Sequence, residues 1–176
     1  IVDLPIISPH GHTDAYCLLE NKPFENPSKL FITPDHYVFR MLFSQGIDLT
    51  SLGISELLKK NKKTNPRYVW RIFAENYHFF RGTPTKIWFD YIFENLFDLN
   101  EPLSHKTADL YYDKINLLLN KDEFLPRNLF KKFNIEVLCT TEGPLNDLNA
   151  HNKIIELRQN IKVISAYRPD EVIDPQ

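Results

Sequence analysis

Cysteine is scarce in this sequence. Only Cys17 and Cys139 occur among 176 residues, so at most one disulfide could form, and a chain of this size does not need one; both read as reduced thiols. An excess of charge is also missing: 21 Lys and Arg stand against 23 Asp and Glu, for a net charge of -2. The one basic block is the short turn Lys59-Lys60-Asn61-Lys62-Lys63. That leaves no electrostatic footprint for a polyphosphate, so nucleic acid is excluded as an expected partner. No apolar run approaches the roughly 18 residues of a membrane span, and no basic stretch followed by an apolar one opens the chain. A cytoplasmic protein with no membrane contact is therefore expected. Internal repeats and low-complexity tracts are absent as well. What the chain does have is core material, 43% apolar and 13% aromatic, in a length that suits one domain or part of a larger one. It opens on Ile1 rather than Met, and Gln176 follows Ile173-Asp174-Pro175 with no terminal helix in the pattern. Both ends read as cut.

Periodicity divides the chain into three stretches. In residues 1–34, Leu4-Pro5-Ile6-Ile7-Ser8 reads as a short buried strand that ends at Pro9-His10-Gly11-His12. Residues 35–132 carry almost only helical signals. Asn65-Pro66 and Thr83-Pro84 each set a capping residue before a proline at the first helical position. The stripes Val69, Ile72, Phe73, Tyr77, Phe80 and Ile87, Trp88, Tyr91, Ile92, Leu96 both match a 3.6-residue period. A third helix is expected over Ser104–Leu119, with Ala108, Tyr111, Ile115, Leu118 and Leu119 on one face, and a short fourth opens at Pro126. In residues 133–176 the pattern turns to strand (Ile135–Cys139), a Gly143-Pro144 turn, a helix with Leu148, His151, Ile155 and Leu157 on one face, and strand again (Ile161–Ala166). Such a strand, helix, strand unit is a parallel crossover. The expected fold is α/β: about the first three strands of a (β/α)8 TIM-type barrel, with a large helical insertion after strand 1.

The sharpest chemical feature is His10-Gly11-His12, directly after the first strand. Alternate residues of an extended segment point the same way, so both imidazoles can reach one cation, zinc or a similar divalent metal. Six histidines in 176 residues give roughly 0.2 such pairs by chance, so the spacing alone fits a capping or loop role equally well. A second feature is Pro34-Asp35-His36-Tyr37-Val38-Phe39-Arg40-Met41. A helix from Asp35 would set His36 and Arg40 four apart on one face, an acid/base group beside a fixed cation, with Tyr37 adding a phenol. The plainer reading has Asp35 as a cap, Arg40 on the surface and Tyr37 packed on the core. Third, Thr140-Thr141-Glu142 and Tyr167-Arg168-Pro169-Asp170 follow the second and third strands. Arg168 could grip a carboxylate bidentately or pair with Asp170 on the surface. All three strands thus end in polar, reactive residue types, on the side where parallel-barrel sites lie. His78, His105 and His151 fall in helical patterns and read as packed or solvent-facing.

Ser8-Pro9-His10-Gly11-His12-Thr13-Asp14, the segment from Pro34 to Leu42, Phe80-Arg81-Gly82-Thr83-Pro84 and Tyr167-Arg168-Pro169-Asp170 together resemble the uronate (glucuronate) isomerase family of the amidohydrolase superfamily. The resemblance covers the whole chain, which looks like the N-terminal portion of a member. It implies interconversion of glucuronate with fructuronate, and of galacturonate with tagaturonate, in hexuronate catabolism. It further implies a divalent metal, zinc by ligand type, on His10 and His12. His36 and Tyr37 would face the sugar as catalytic groups, and Arg168 would bind the substrate, with Arg40 beside it. A homo-oligomer is compatible with it. Ala15 and Glu142 depart from the family pattern, where proline and aspartate are common. The family's late metal-binding aspartate and a nearby arginine have no counterpart here. Two other readings stay open: a metal-dependent hydrolase of the same superfamily, and a noncatalytic truncated fragment.

Overall fold

The computed structural model describes residues 3–54 and 64–173; the basic turn at 59–63 lies outside them. In chain order the elements are β1 (Ile6–Ser8), α1 (Ala15–Glu20), α2 (Pro27–Phe31), α3 (His36–Ser44), α4 (Pro66–Glu75), α5 (Pro84–Phe97), α6 (Ala108–Leu119), α7 (Pro126–Lys132), β2 (Ile135–Glu142), α8 (Asn149–Glu156), β3 (Lys162–Tyr167) and α9 (Asp170–Ile173), with short 3-10 turns between some of them. They fall into two compact units, Ile1–Pro23 with Asp122–Gln176, and Phe24–Lys121. The helical unit therefore begins before residue 35 and ends before residue 132. Helix α2 packs with α4 and α6, whereas α7 packs under β2. Among the described residues no helix is long and apolar enough to cross a membrane.

The first unit is a mixed α/β layer built on a parallel sheet of order β1-β2-β3. Strand β2 is central and runs to Glu142, and the step Thr140↔Ser165, Thr141↔Ala166, Glu142↔Tyr167 sets its register on β3. Side chains alternate along a strand, so Leu138, Thr140 and Glu142 share one face with Val163 and Ser165. On this face lies the unit's core: Ala15 and Leu18 of α1, Phe130 of α7, Ala150 and Ile154 of α8, Ile161 and Val163. Arg127 closes the α1 end. Its guanidinium donates to the carbonyls of Leu18 (2.8 Å) and Leu19 (2.6 Å), and Asn21 Oδ1 accepts the Arg127 N–H. Carbonyls left without partners at a helix C-terminus are satisfied in this way.

Three expectations about this unit need correcting. Strand β1 is exposed where a buried strand is expected: among the described residues only β2 pairs with it, and Leu4, Ile6 and Ile7 lie open. Helix α8 turns Ala150, His151 and Ile154 inward and leaves Leu148, Ile155 and Leu157 at the surface. Its small alanine permits close approach to the sheet, which the larger side chains would hold off. A single helical turn, α9, follows β3 where none is expected.

The second unit is all helical and its core is aromatic. Asn65 and Thr83 cap α4 and α5 as the sequence predicts, accepting the N–H groups of Arg67 (2.9 Å) and Lys86 (3.3 Å), with Pro66 and Pro84 in the first turn. Helix α5, however, buries Thr85, Phe89, Phe93 and Phe97 and exposes Ile87, Trp88 and Tyr91. Apolar residues surround this helix, so two stripes fit its period. The phenylalanines win because they meet rings: Phe93 lies 5.1 Å from Tyr111, 5.5 Å from Phe89 and 6.2 Å from Trp70 and Tyr77, ring centre to ring centre. Helix α6 begins at Ala108, not Ser104, and buries Tyr111, Tyr112, Ile115 and Leu119. Trp70 Nε1–H donates to the Ala108 carbonyl at 2.9 Å, so the buried indole is satisfied. On the surface, Arg67 and Arg71 join α4 to Asp109 and Asp113 of α6.

Candidate active site

The carboxyl ends of the three strands lie on one side of the first unit. A cavity of about 590 Å³ opens there, lined by His12, Thr13, Asp14, Ala15, Tyr16, Thr141, Glu142, Asn146, Asp147, Ala150, His151 and Arg168. This is within the usual range for small-molecule sites, about 300–1,000 Å³.

The histidine pair is the best-defined part of this region. His10 Nε2 and His12 Nε2 are 3.1 Å apart, with the rings nearly perpendicular. Two ligands at about 2.05 Å from one ion are separated by about 2.9 Å at a right angle and about 3.3 Å at the tetrahedral angle. The observed separation falls between these values. Thr141 sets the His10 tautomer. Its hydroxyl donates to the Gly11 carbonyl (3.1 Å), so it can only accept from His10 Nδ1, which is 3.3 Å away. The His10 proton therefore sits on Nδ1 and the lone pair on Nε2, where a metal would need it. The donor set fits a borderline divalent metal but is incomplete: among the described residues no three His, Cys, Asp or Glu side chains gather to hold one. Gly11 is less constrained than its place suggests. A Cβ there would meet only the Cys139 carbonyl, at 3.4 Å, and Leu138.

In the cavity wall lies a polar cluster that the sequence does not announce. His151 of α8, only 7% exposed, meets Thr140 Oγ1 at 2.8 Å. The Thr140 hydroxyl donates to the Ile164 carbonyl (3.2 Å), so His151 donates from Nε2 and carries its lone pair on Nδ1. That Nδ1 is buried and has no hydrogen-bond partner. Glu142 Oε1 is 3.6 Å from His151 Nε2, and Glu142 Oε2 accepts the hydroxyl of Ser165. The location of Thr140-Thr141-Glu142 at a strand end is a usable signal. The part played by His151 is not, since one helical histidine looks like another until the helix is docked.

Arg168 follows β3 and lines the cavity, and its Nε donates to Asp170 Oδ2 at 2.8 Å with both side chains well exposed. Cavity lining and surface pairing thus both hold for it. His36, Tyr37 and Arg40 belong to the helical unit. Asp35 caps α3 there, its Oδ1 accepting the N–H of Tyr37 at 2.8 Å. His36 and Tyr37 lie with ring centres 4.2 Å apart, Tyr37 and Arg40 being exposed and His36 half-buried.

The fold and this arrangement define a class: an α/β protein whose polar cavity, histidine pair, carboxylate and arginine collect at the ends of parallel strands. The family model described as glucuronate isomerase matches residues 1–175. The uronate isomerase of Mesorhizobium japonicum is 52% identical over 175 residues, covering 99% of this chain and 37% of its own, and that of Xanthomonas euvesicatoria pv. vesicatoria is 50% identical over 176 residues, covering 100% and 37%. Among solved structures, the glucuronate isomerase of Caulobacter crescentus superposes with a TM-score of 0.92 at 46% identity, covering 99% of this chain and 36% of its own. The uronate isomerase of Thermotoga maritima gives 0.83 at 28% identity with the same coverage. The chain belongs to the glucuronate isomerase family, and it spans about 37% of the length of these curated relatives.

Proposed function

We propose that the protein containing these residues is an aldose-ketose isomerase of hexuronates, interconverting glucuronate with fructuronate and galacturonate with tagaturonate. The observation that carries this reading is the His10–His12 geometry at a strand end, in a chain whose relatives are named uronate isomerase. The three parallel strands are read as the opening of a (β/α)8 barrel, with the helical unit inserted after β1.

The reaction moves a proton between C2 and C1 through an enediol, so it needs an acid, a base and positive charge near the developing oxyanion. His10 and His12 would hold a divalent metal, zinc on ligand type, which when bound supplies Lewis-acid charge to a substrate oxygen. Thr141 keeps the His10 lone pair directed outward. Arg168, planar and always charged, would leave Asp170 to grip the sugar carboxylate with two hydrogen bonds. His36 and Tyr37 are assigned to the sugar as proton-transfer groups, and Arg40 to their neighbourhood, on the motif they share with the family.

The test is ketose formation from glucuronate by the protein at its natural length. Arg168→Met should cost about 2 to 5 kcal/mol in kcat/KM, tens of fold or more, with metal content intact. If Arg168 only pairs with Asp170 at the surface, the loss stays within about 1 kcal/mol. No ketose from any hexuronate would overturn the isomerase reading.

A further inference from the structure

We propose that Glu142 is a binding residue for the sugar's hydroxyl groups, its Oε1 a carboxylate acceptor held open toward the cavity. The proposal rests on the uronate reading above and names a contact on the substrate that this reading leaves unassigned. Glu142 is the last residue of β2 and lines the cavity. Its Oε2 accepts the hydroxyl of Ser165 on the neighbouring strand, which fixes the plane of the carboxylate. Its Oε1 lies 3.6 Å from His151 Nε2, too far for a hydrogen bond, and the one proton on that nitrogen is already directed at Thr140. Among the described residues no hydrogen-bond donor reaches Oε1. A carboxylate can accept about four hydrogen bonds, so Oε1, open to the cavity, has acceptor sites left for a ligand's hydroxyl groups.

None of the lining side chains donates to Oε1: Arg168 turns its Nε to Asp170, Asn146 is held through its Oδ1, which accepts from Gly143 N at 2.6 Å, and Asp14 is itself an acceptor, spent on Tyr16 N at 2.9 Å. Donors to Oε1 therefore come from what fills the cavity, water or an occupant that displaces it. An occupant rich in O–H groups satisfies Glu142, whereas a second carboxylate at the same place would be repelled. Of the charged groups in the lining, Arg168 suits the carboxylate of a hydroxy acid, and Glu142, held by Ser165, suits its hydroxyls. Ser165 is the positioning residue for Glu142.

The experiment compares wild type with Glu142→Gln in the protein at its natural length, on glucuronate and on a set of monodeoxy uronates. Glutamine keeps the size and an acceptor for Ser165 while removing the charge. KM for glucuronate should rise about tenfold or more with kcat within about threefold, and for at least one monodeoxy analogue wild type and variant should have the same KM. Ser165→Ala, which keeps the charge and frees its orientation, should give a smaller rise of about two- to tenfold with the same dependence on the analogue. Calorimetric binding of the same sugars reads the comparison without turnover. A wild type that binds uronates without isomerising them would defeat the isomerase reading and leave this comparison standing. An unchanged KM, or one raised equally for every analogue, would show that Glu142 touches no substrate hydroxyl. Absence of uronate binding by the wild type would overturn both.

Discussion

Replacing Thr141 by valine removes one hydroxyl and almost no volume, which makes it a sharp probe of the histidine pair. The hydroxyl bridges the Gly11 carbonyl (3.1 Å) and His10 Nδ1 (3.3 Å), and so decides which His10 nitrogen carries the proton. Without it, both tautomers of His10 become accessible, and the one with a proton on Nε2 cannot ligate. Losing a partner of this kind typically lowers metal affinity by about 10- to 100-fold. The bond here is long and close to solvent, so water can replace part of it, and the lower end, about tenfold or ~1.4 kcal/mol, is expected. Zinc affinity would be measured by competition with a chromogenic chelator on the protein at its natural length. His10→Ala serves as the reference, expected to leave bound metal well below one per chain. A Thr141→Val affinity within about twofold of wild type would refute the reasoning, because it would mean that the tautomer is set by something else or that His10 is no ligand.

Two further predictions concern the helical unit. Phe93, 2% exposed among aromatic neighbours, should cost about 3 to 5 kcal/mol on truncation to alanine, against about 0.5 kcal/mol or less for Trp88→Ala at 61% exposure; hydrogen exchange of peptides covering α4, α5 and α6 would separate the two, and equal losses would contradict the assigned face of α5. Burial, followed by the 2.8 Å hydrogen bond to Asp90, holds the Tyr77 phenol well above its ordinary range. A raised folded pKa means stability that is present below the unfolded value of about 10 and lost as pH rises toward the folded one. Tyr77→Phe should therefore cost about 1 kcal/mol at neutral pH and flatten the alkaline decline, read from denaturant midpoints at about pH 7 and pH 10.5. A parent protein as stable at the higher pH as at neutrality would count against the buried phenol.

Much of the fold was legible in the chain because it is written in local chemistry. Asn65-Pro66 and Thr83-Pro84 mark helix starts through their own backbone and side-chain groups, and the β-branched runs after Ile135 and Ile161 mark strands, whatever surrounds them. The strand-end positions of His10, His12 and Arg168 follow from the same punctuation. The face that a helix buries is a different matter. Helix α5 offers Ile87, Trp88 and Tyr91 or Phe89, Phe93 and Phe97 with comparable periodicity, and only the rings of Trp70, Tyr77 and Tyr111 arriving from other elements decide between them. The sequence by itself determined the parallel α/β pattern, the helical stretch, the family and the histidine pair, because each rests on residues close together in the chain. Tertiary structure alone decided that Thr141 orients His10 across 131 positions and that Ser165 holds Glu142 across 23. Hydrogen bonds that long in sequence exist only once the strand register is set, and no local propensity encodes that register.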